Sequence, residues 1–399
     1  MKSRSISAVN EFAFAFVLGL AASSVPAAQA QTFGVFHNFS GASDGANPLN
    51  GLVADASGNL YGTASSGGAS SNGVVFQLDS AGVETVLHNF NGGADGQSPQ
   101  GVLIRDKAGN LYGTTMYGGA NGAGTVFRVG STGQETVLYS FTGAADGAYP
   151  QAGLARDASG NLYGTATAGG ADGNGVVFKL TPPKRKGAAW GQQVLYSFGT
   201  GVDGAVPVAG VTLDPAGNIY GTTSAGGANT FGTVFQLTPS GSGWTENILH
   251  DFQNVDDGGV PYAGLISDKA GNFYGAATEG GTGGGGTIFE LSPAQSGWTF
   301  TVLYTIPGWG ISGAFRDLIL DASGNLYGTT HCDGTYSAGT VYKLTPASGS
   351  WGFTSLYVFT GASDGLYSYS NLVFSHGSIY GTTNQGGANG LGVVFKVVP

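Results

Sequence analysis

Across 399 residues the chain carries 14 Lys and Arg against 24 Asp and Glu, giving a net charge of −10 and a pI near 4.7. That balance excludes a nucleic-acid or anionic-membrane surface, because both require clustered cations. The 74 glycines and 10% charged residues stand beside 41% hydrophobic and 12% aromatic residues, enough apolar surface for a packed fold rather than a disordered chain.

The N-terminus places Lys2 and Arg4 before an apolar stretch from Phe12 to Ala22, then Ala28-Gln29-Ala30. This order predicts a secretory signal peptide over residues 1–30, cleaved after Ala30, and a secreted or periplasmic mature protein over 31–399. The stretch is short for a transmembrane helix and no second one follows, so no membrane insertion of the mature form is expected. Cys332 is the only cysteine, which excludes an internal disulfide.

Next comes an aromatic segment, Phe33 to Phe39, and then seven copies of one phrase. An apolar residue precedes Tyr-Gly, with Asn usually before it and Thr after it, at Tyr61, Tyr112, Tyr163, Tyr220, Tyr274, Tyr327 and Tyr380. Successive copies lie 51, 51, 57, 54, 53 and 53 residues apart, the signature of a repeated supersecondary unit. In the third copy Gly153-Leu154-Ala155-Arg156 meets the turn Asp157-Ala158-Ser159-Gly160-Asn161 and then Leu162-Tyr163-Gly164-Thr165, which predicts a hairpin. Asp55, Asp106, Asp157, Asp214, Asp268 and Asp321 open the equivalent turns, where a carboxylate accepts backbone N–H bonds. A Gly-rich loop at 168–171 leads to a second apolar run at 175–180, and Val194-Leu195-Tyr196-Ser197-Phe198 closes the unit.

Four short strands per copy, with no helical period between them, predict an all-β seven-bladed β-propeller of four-stranded blades. The aromatic strand appears once before every other element, and the last copy stops after its third strand. The N-terminal strand is therefore expected to pair into the last blade, begun at Asn371, and close the ring.

Strand order then places two loops of each blade on one face. One is the Gly-Gly loop after Tyr-Gly-Thr; the other holds Asp-Gly, at Asp44, Asp95, Asp146, Asp203, Asp257 and Asp364. This acidic rim is a candidate surface for cations or sugar hydroxyls, although ordinary Asx-turns account for the same residues. Calcium wants six to eight oxygens at one site, and each loop offers one assured carboxylate, joined in one copy by Asp256. No cofactor is expected, with calcium the ion the rim leaves open.

The sixth copy departs from the others. Its rim loop reads Pro307-Gly308-Trp309-Gly310, and its Gly-Gly loop reads His331-Cys332-Asp333-Gly334, so Trp309 is a candidate stacking platform with His331 and Asp333 as polar partners. His37, His88, His250 and His376 lie along strands or turns, two of them in the aromatic strand where Tyr stands elsewhere, and packing is their default reading. The basic run Lys184, Arg185 and Lys186 reads as a solvated loop.

Gly-Asn-Leu-Tyr-Gly-Thr-Thr, Gly-Gly-Ala, Gly-Thr-Val-Phe and Val-Leu-Tyr-Ser-Phe-Thr-Gly with a following Asp-Gly resemble the GloVer (Gloeo/Verruco) tandem repeat of exported bacterial choice-of-anchor proteins. The resemblance implies export and a repeat domain over nearly all the mature chain, and brings no activity. The C-terminal sorting segment such proteins often bear is missing after Val397-Val398-Pro399, so attachment through one is not expected. Gly-Leu-x-x-Asp-x-x-Gly-Asn-Leu-Tyr is also similar to blades of NHL and lactonase-like propellers, whose enzymes place metal ligands in the channel. The innermost strands here read Gly51-Leu52-Val53, Gly101-Val102-Leu103, Gly153-Leu154-Ala155 and Gly210-Val211-Thr212, without recurrent Glu, His or Asn. The sequence thus favours a monomeric, non-catalytic binding or scaffold module for an extracellular glycan or protein, with a lactonase- or lyase-like enzyme using a channel metal as the alternative.

Overall fold

The computed structural model describes residues 31–185, 187–308, 313 and 316–399, and Gln31–Pro399 form one compact unit. The predicted signal peptide, Lys186 and Trp309 lie outside the described residues. Every regular element described is a strand, and among the described residues no helix is long and apolar enough to cross a membrane.

Seven four-stranded antiparallel sheets form the ring of a seven-bladed β-propeller. Blade 1 comprises Val53–Ala54, Leu60–Ala64, Val74–Leu78 and Glu84–Asn89 in that spatial order, and the next five blades repeat it, blade 2 with the short strand Gln97–Pro99 added on Leu111–Tyr117. Blade 7 comprises Val373–Ser375, Ser378–Thr383 and Val393–Val398, completed by Thr32–Asn38. The closing strand runs antiparallel to the last one, with Thr32 opposite Val398, Val35 opposite Phe395 and Asn38 opposite Val393. The first strand of this blade begins at Val373 rather than Asn371, and the first strands elsewhere span only two residues.

The repeated phrase is explained residue by residue. In blade 1 the Asp55 carboxylate accepts the amides of Ser57 and Asn59 on one oxygen, and the Asn59 side chain and the Tyr61 hydroxyl on the other. The same Asp–Asn–Tyr knot recurs at Asp106, Asp157, Asp214, Asp268 and Asp321. Glycine follows Tyr because the aromatic ring of the neighbouring third strand lies over it. A Cβ on Gly62 would meet Phe76 at 2.7 Å, and one on Gly164 would meet Phe178 at 2.7 Å. Threonine comes third because its hydroxyl reaches the next blade: Thr114, Thr165, Thr222 and Thr382 donate to the carbonyls of Ala152, Ala209, Ala263 and Asn50.

Between blades, the phenylalanine ending one outer strand meets edge-to-face the third-strand phenylalanine of the next blade. Phe90–Phe127, Phe141–Phe178 and Phe359–Phe395 have ring centroids 5.1, 5.1 and 5.2 Å apart. The closing seam has the same pair, Phe39–Phe76, at 5.2 Å. Phe39 is fully buried, while Phe33 and Val35 are half-buried and pack on the blade 6–7 core. Blade 6 replaces this phenylalanine with Tyr342, whose buried hydroxyl has no hydrogen-bond partner among the described residues.

A chain beginning at Ser40 loses the closing strand and the Phe39 contact, and is expected to melt at least about 10 °C lower or to aggregate, as read by scanning fluorimetry. Tyr342→Phe removes an unsatisfied buried hydroxyl and is expected to stabilise the chain by about 1 kcal/mol, seen as a higher urea midpoint with an unchanged m value.

Candidate functional site on the upper face

Isolated bridges join the two distinctive loops of a blade on one face, Ala46 with Ser66, Ala148 with Ala168, Gly259 with Glu279 and Leu366 with Gln385. Their approach is close. A Cβ on Gly67, Gly118 or Gly386 would lie 2.6–2.7 Å from the Asp-Gly backbone of the same blade.

The six rim carboxylates turn back into their own loops instead of converging. Each accepts the backbone N–H of the residue four places earlier: Ser40 for Asp44, Asn91 for Asp95, Thr142 for Asp146, Gly199 for Asp203, Gln253 for Asp257 and Thr360 for Asp364. Each also faces a side chain seven places earlier on the outer strand. Tyr139, Tyr196 and Tyr357 donate hydroxyls to Asp146, Asp203 and Asp364, and His250 meets Asp257 at 2.9 Å. His88 lies 3.4 Å from Asp95 and His37 lies 3.8 Å from Asp44. Three of the four histidines outside the sixth copy thus occupy the outer-strand position, not two, and burial pushes all three imidazoles below their ordinary value. Burial alone would raise Asp146 and Asp364, but bonds from Thr142 and Thr360 hold both below the usual carboxylate value.

A third residue, from the outer strand of the following blade, completes each seam and was not legible in the sequence. It is Glu84, Glu135, Gln192 and Glu246 at the four seams from blade 7–1 to blade 3–4. At the other three it is Phe300, Phe353 and Phe33, stacked on His250, Tyr304 and Tyr357 with centroids 3.6, 4.8 and 3.6 Å apart. One side of the ring therefore has polar seams and the other aromatic ones. Burial and the neighbouring Asp44 push Glu84 up to about 8, and burial with Asp95 or Asp203 pushes Glu135 and Glu246 up to about 7. Among the described residues, His37, Asp44 and Glu84 form the group of His, Cys, Asp or Glu whose ligand atoms all lie within 4.8 Å of one another.

In the sixth copy, His331 and Asp333 take different partners. His331 packs against Tyr367 and Tyr369 with centroids 4.5 and 4.3 Å away, and burial pushes it down to about 4. Asp333 accepts the Thr330 hydroxyl and lines a cavity with Tyr304, Pro307 and Phe353 at the seam where Asp-Gly is missing. The two oddities are linked physically. Asp333 stands where the first glycine of Gly-Gly makes room for the Asp-Gly backbone in other blades, and blade 6 has no such backbone to accommodate.

At the centre, a cavity of ≈ 220 Å³ is lined by residues leading into the first strands of all seven blades. Gly153 and Gly210 line one part, while Arg316, Asp317, Asn371, Asn50 and Tyr262 give another a polar wall. The Arg316 Nε donates to the Tyr369 carbonyl at 3.2 Å, and an Asp317 oxygen accepts the Gly264 N–H. This wall was missed in the sequence because Arg316-Asp317-Leu318 replaces the Gly-Leu wording by which innermost strands were recognised. The upper face also exposes an aromatic pair between blades 2 and 3. Tyr117 and Tyr149, 41% and 38% exposed, meet edge-to-face with centroids 5.6 Å apart. Tyr149 holds a left-handed backbone with φ 59°, fixed by its amide on the Ala123 carbonyl and by the Thr167 hydroxyl on its own carbonyl.

Seven closed blades, with loops gathered on one face around a central cavity, define a β-propeller. The Gloeobacter/Verrucomicrobia repeat matches residues 24–214 and 187–395, and the chain belongs to that family. No curated protein matches it in sequence. Among solved structures it is similar to the extracellular domain of a protein from B. thetaiotaomicron assigned as a one-component system, with TM-score 0.57 and 10% identity, covering 88% of this chain and 38% of that one. An ulvan lyase of polysaccharide lyase family PL25 gives TM-score 0.54 at 11% identity, covering 90% and 95% of the two chains. A protein of Bacteroides uniformis assigned as a 6-phosphogluconolactonase gives 0.51 at 15% identity, covering 81% and 88%. At such identities the likeness is one of fold.

The Tyr196–Asp203–Glu246 seam generates a pH dependence. Glu246 stands at about 7 in the folded chain against an ordinary 4.5, so between those values the folded state keeps a proton that the unfolded state releases. Its contribution is full below pH 4.5 and is lost as pH rises through 7. Glu246→Gln is expected to match the parent melting temperature at low pH, to exceed it above pH 8, and so to flatten the slope between.

Proposed function

We propose that the chain is an exported binding module that takes extracellular polysaccharide on its upper face. The observation that carries this reading is the Tyr117–Tyr149 pair, two exposed rings, one ending the strand Leu111–Tyr117 and the other on the rim loop of the next blade. Aromatic faces stack on the C–H faces of sugars, and the neighbouring loop carbonyls and hydroxyls suit sugar hydroxyls. The rim acids support a lesser role: each is engaged by its own loop, so they shape the platform instead of supplying six free carboxylates. Export rests on the charged, apolar and Ala-x-Ala order of residues 1–30.

A second reading rests on the polar wall of the channel. Arg316 and Asp317 could neutralise and protonate a substrate at the centre, the chemistry a lactonase or a polysaccharide lyase needs. Binding is favoured because Asp317, the one carboxylate lining the channel among the described residues, is already taken by the Gly264 amide.

A glycan array followed by titration calorimetry separates the two. Binding is expected, with Tyr149→Ala and Tyr117→Ala each weakening it about tenfold or more and leaving the melting temperature nearly unchanged. Turnover of lactones or uronic-acid polysaccharides, abolished by Arg316→Ala and untouched by the tyrosine changes, would instead establish the channel enzyme.

A further inference from the structure

We infer that the closing seam is a zinc site, with His37, Asp44 and Glu84 as its three protein ligands. His37 lies on the closing strand of blade 7, Asp44 on the loop leading into blade 1, and Glu84 on the outer strand of blade 1. The His37 Nε2 lies 3.8 Å from both Asp44 Oδ2 and Glu84 Oε2. Zinc holds imidazole nitrogen and carboxylate oxygen at about 2.0–2.2 Å, which puts two tetrahedral ligands about 3.4 Å apart. The two His37 pairs therefore need to close by a few tenths of an ångström around one ion, with Asp44 and Glu84 inside the 4.8 Å that bounds the group and the fourth position left for water.

The side-chain chemistry asks for a cation. The Glu84 side chain is only 9% exposed, and its Oε1 and the His37 Nε2 are both buried without a hydrogen-bond partner. The basic group paired with either carboxylate among the described residues is His37 alone. Buried polar atoms left without partners are ones that a bound cation satisfies. The supporting shell is in place: the Ser40 amide and hydroxyl hold the two oxygens of Asp44 at 2.8 and 2.6 Å, and His37 is tied to the Gly82 backbone. The neighbouring seam of His88, Asp95 and Glu135 carries the same residue types, with His88 Nε2 and Glu135 Oε1 likewise unpartnered, but does not bring three ligand atoms within 4.8 Å of one another, and other seams replace a ligand outright. Tyr196 stands for His37 beside Asp203 and Glu246, and Gln192 stands for Glu84 beside Tyr139 and Asp146. Because the three ligands come from both sides of the closure, zinc would staple the first strand to blade 1.

Titration calorimetry with zinc alone, on the mature chain stripped by chelator, tests this independently of any glycan. The expected result is one saturable zinc per chain with a higher melting temperature on loading. His37→Tyr rebuilds the Tyr196–Asp203–Glu246 seam and Glu84→Gln places at this position the residue that Gln192 supplies at another, so both are expected to fold and to lose at least about tenfold in zinc affinity. His88→Tyr, at the neighbouring seam, is expected to leave the affinity unchanged. Absence of saturable binding, affinity unchanged from the parent in both seam variants, or loss in His88→Tyr alone would overturn the site. Circular dichroism of each variant confirms that a lost site is not a lost fold.

Discussion

The antiparallel pairing of Thr32–Asn38 with Val393–Val398 joins residues more than three hundred and fifty positions apart, and the remaining architecture depends on it. A blade is apolar on both faces, so it is stable only when a neighbour covers each side. Without the first strand, blade 7 would show an unpaired sheet edge and blade 1 would lose the ring of Phe39 from its core. The closure uses the same contact as every other regular seam, an edge-to-face phenylalanine pair, so the ring ends as it is built.

Repetition imposes a strict economy on the inner layers and leaves the outer layer open to change. Tyr-Gly-Thr is held by three separate demands: a hydroxyl for the turn carboxylate, no Cβ under a ring, and a hydroxyl for the next blade's carbonyl. Each demand is local, so each recurs. The outer seams face fewer constraints, and there the blades diverge into a polar half built on Glu84, Glu135, Gln192 and Glu246 and an aromatic half built on Phe300, Phe353 and Phe33. The sixth copy shows how such drift stays compatible with packing. Once the Asp-Gly loop is gone, the glycine facing it is free to become Asp333.

The candidate sites follow this division between constraint and freedom. The upper face carries the exposed Tyr117–Tyr149 pair, the channel carries the Arg316–Asp317 wall, and the closing seam carries the His37–Asp44–Glu84 group. The three are separate in their residues and rest on different chemistry: stacking, buried charge and metal ligation. The rim acids that the sequence singled out belong to none of them as a collective, since each of the six is committed to its own loop and its own seam.

The sequence by itself determined the blade number, the strand order, the closure and the face on which the loops gather, because those follow from local spacing, turn chemistry and a strand count that is one copy out of step. It also identified the turn aspartates as structural, since Asp, Gly and Asn lie within five residues of one another. Only the tertiary structure decided which side chains share a site. His37 and Glu84 are forty-seven residues apart and meet through the sideways packing of one blade on the next, a contact with no period along the chain. Arg316 and Asp317 reach the channel through a copy whose wording has drifted, and Tyr117 meets Tyr149 across a seam. Local hydrogen bonds write themselves into neighbouring letters, whereas contacts between blades depend on the curvature of the whole ring.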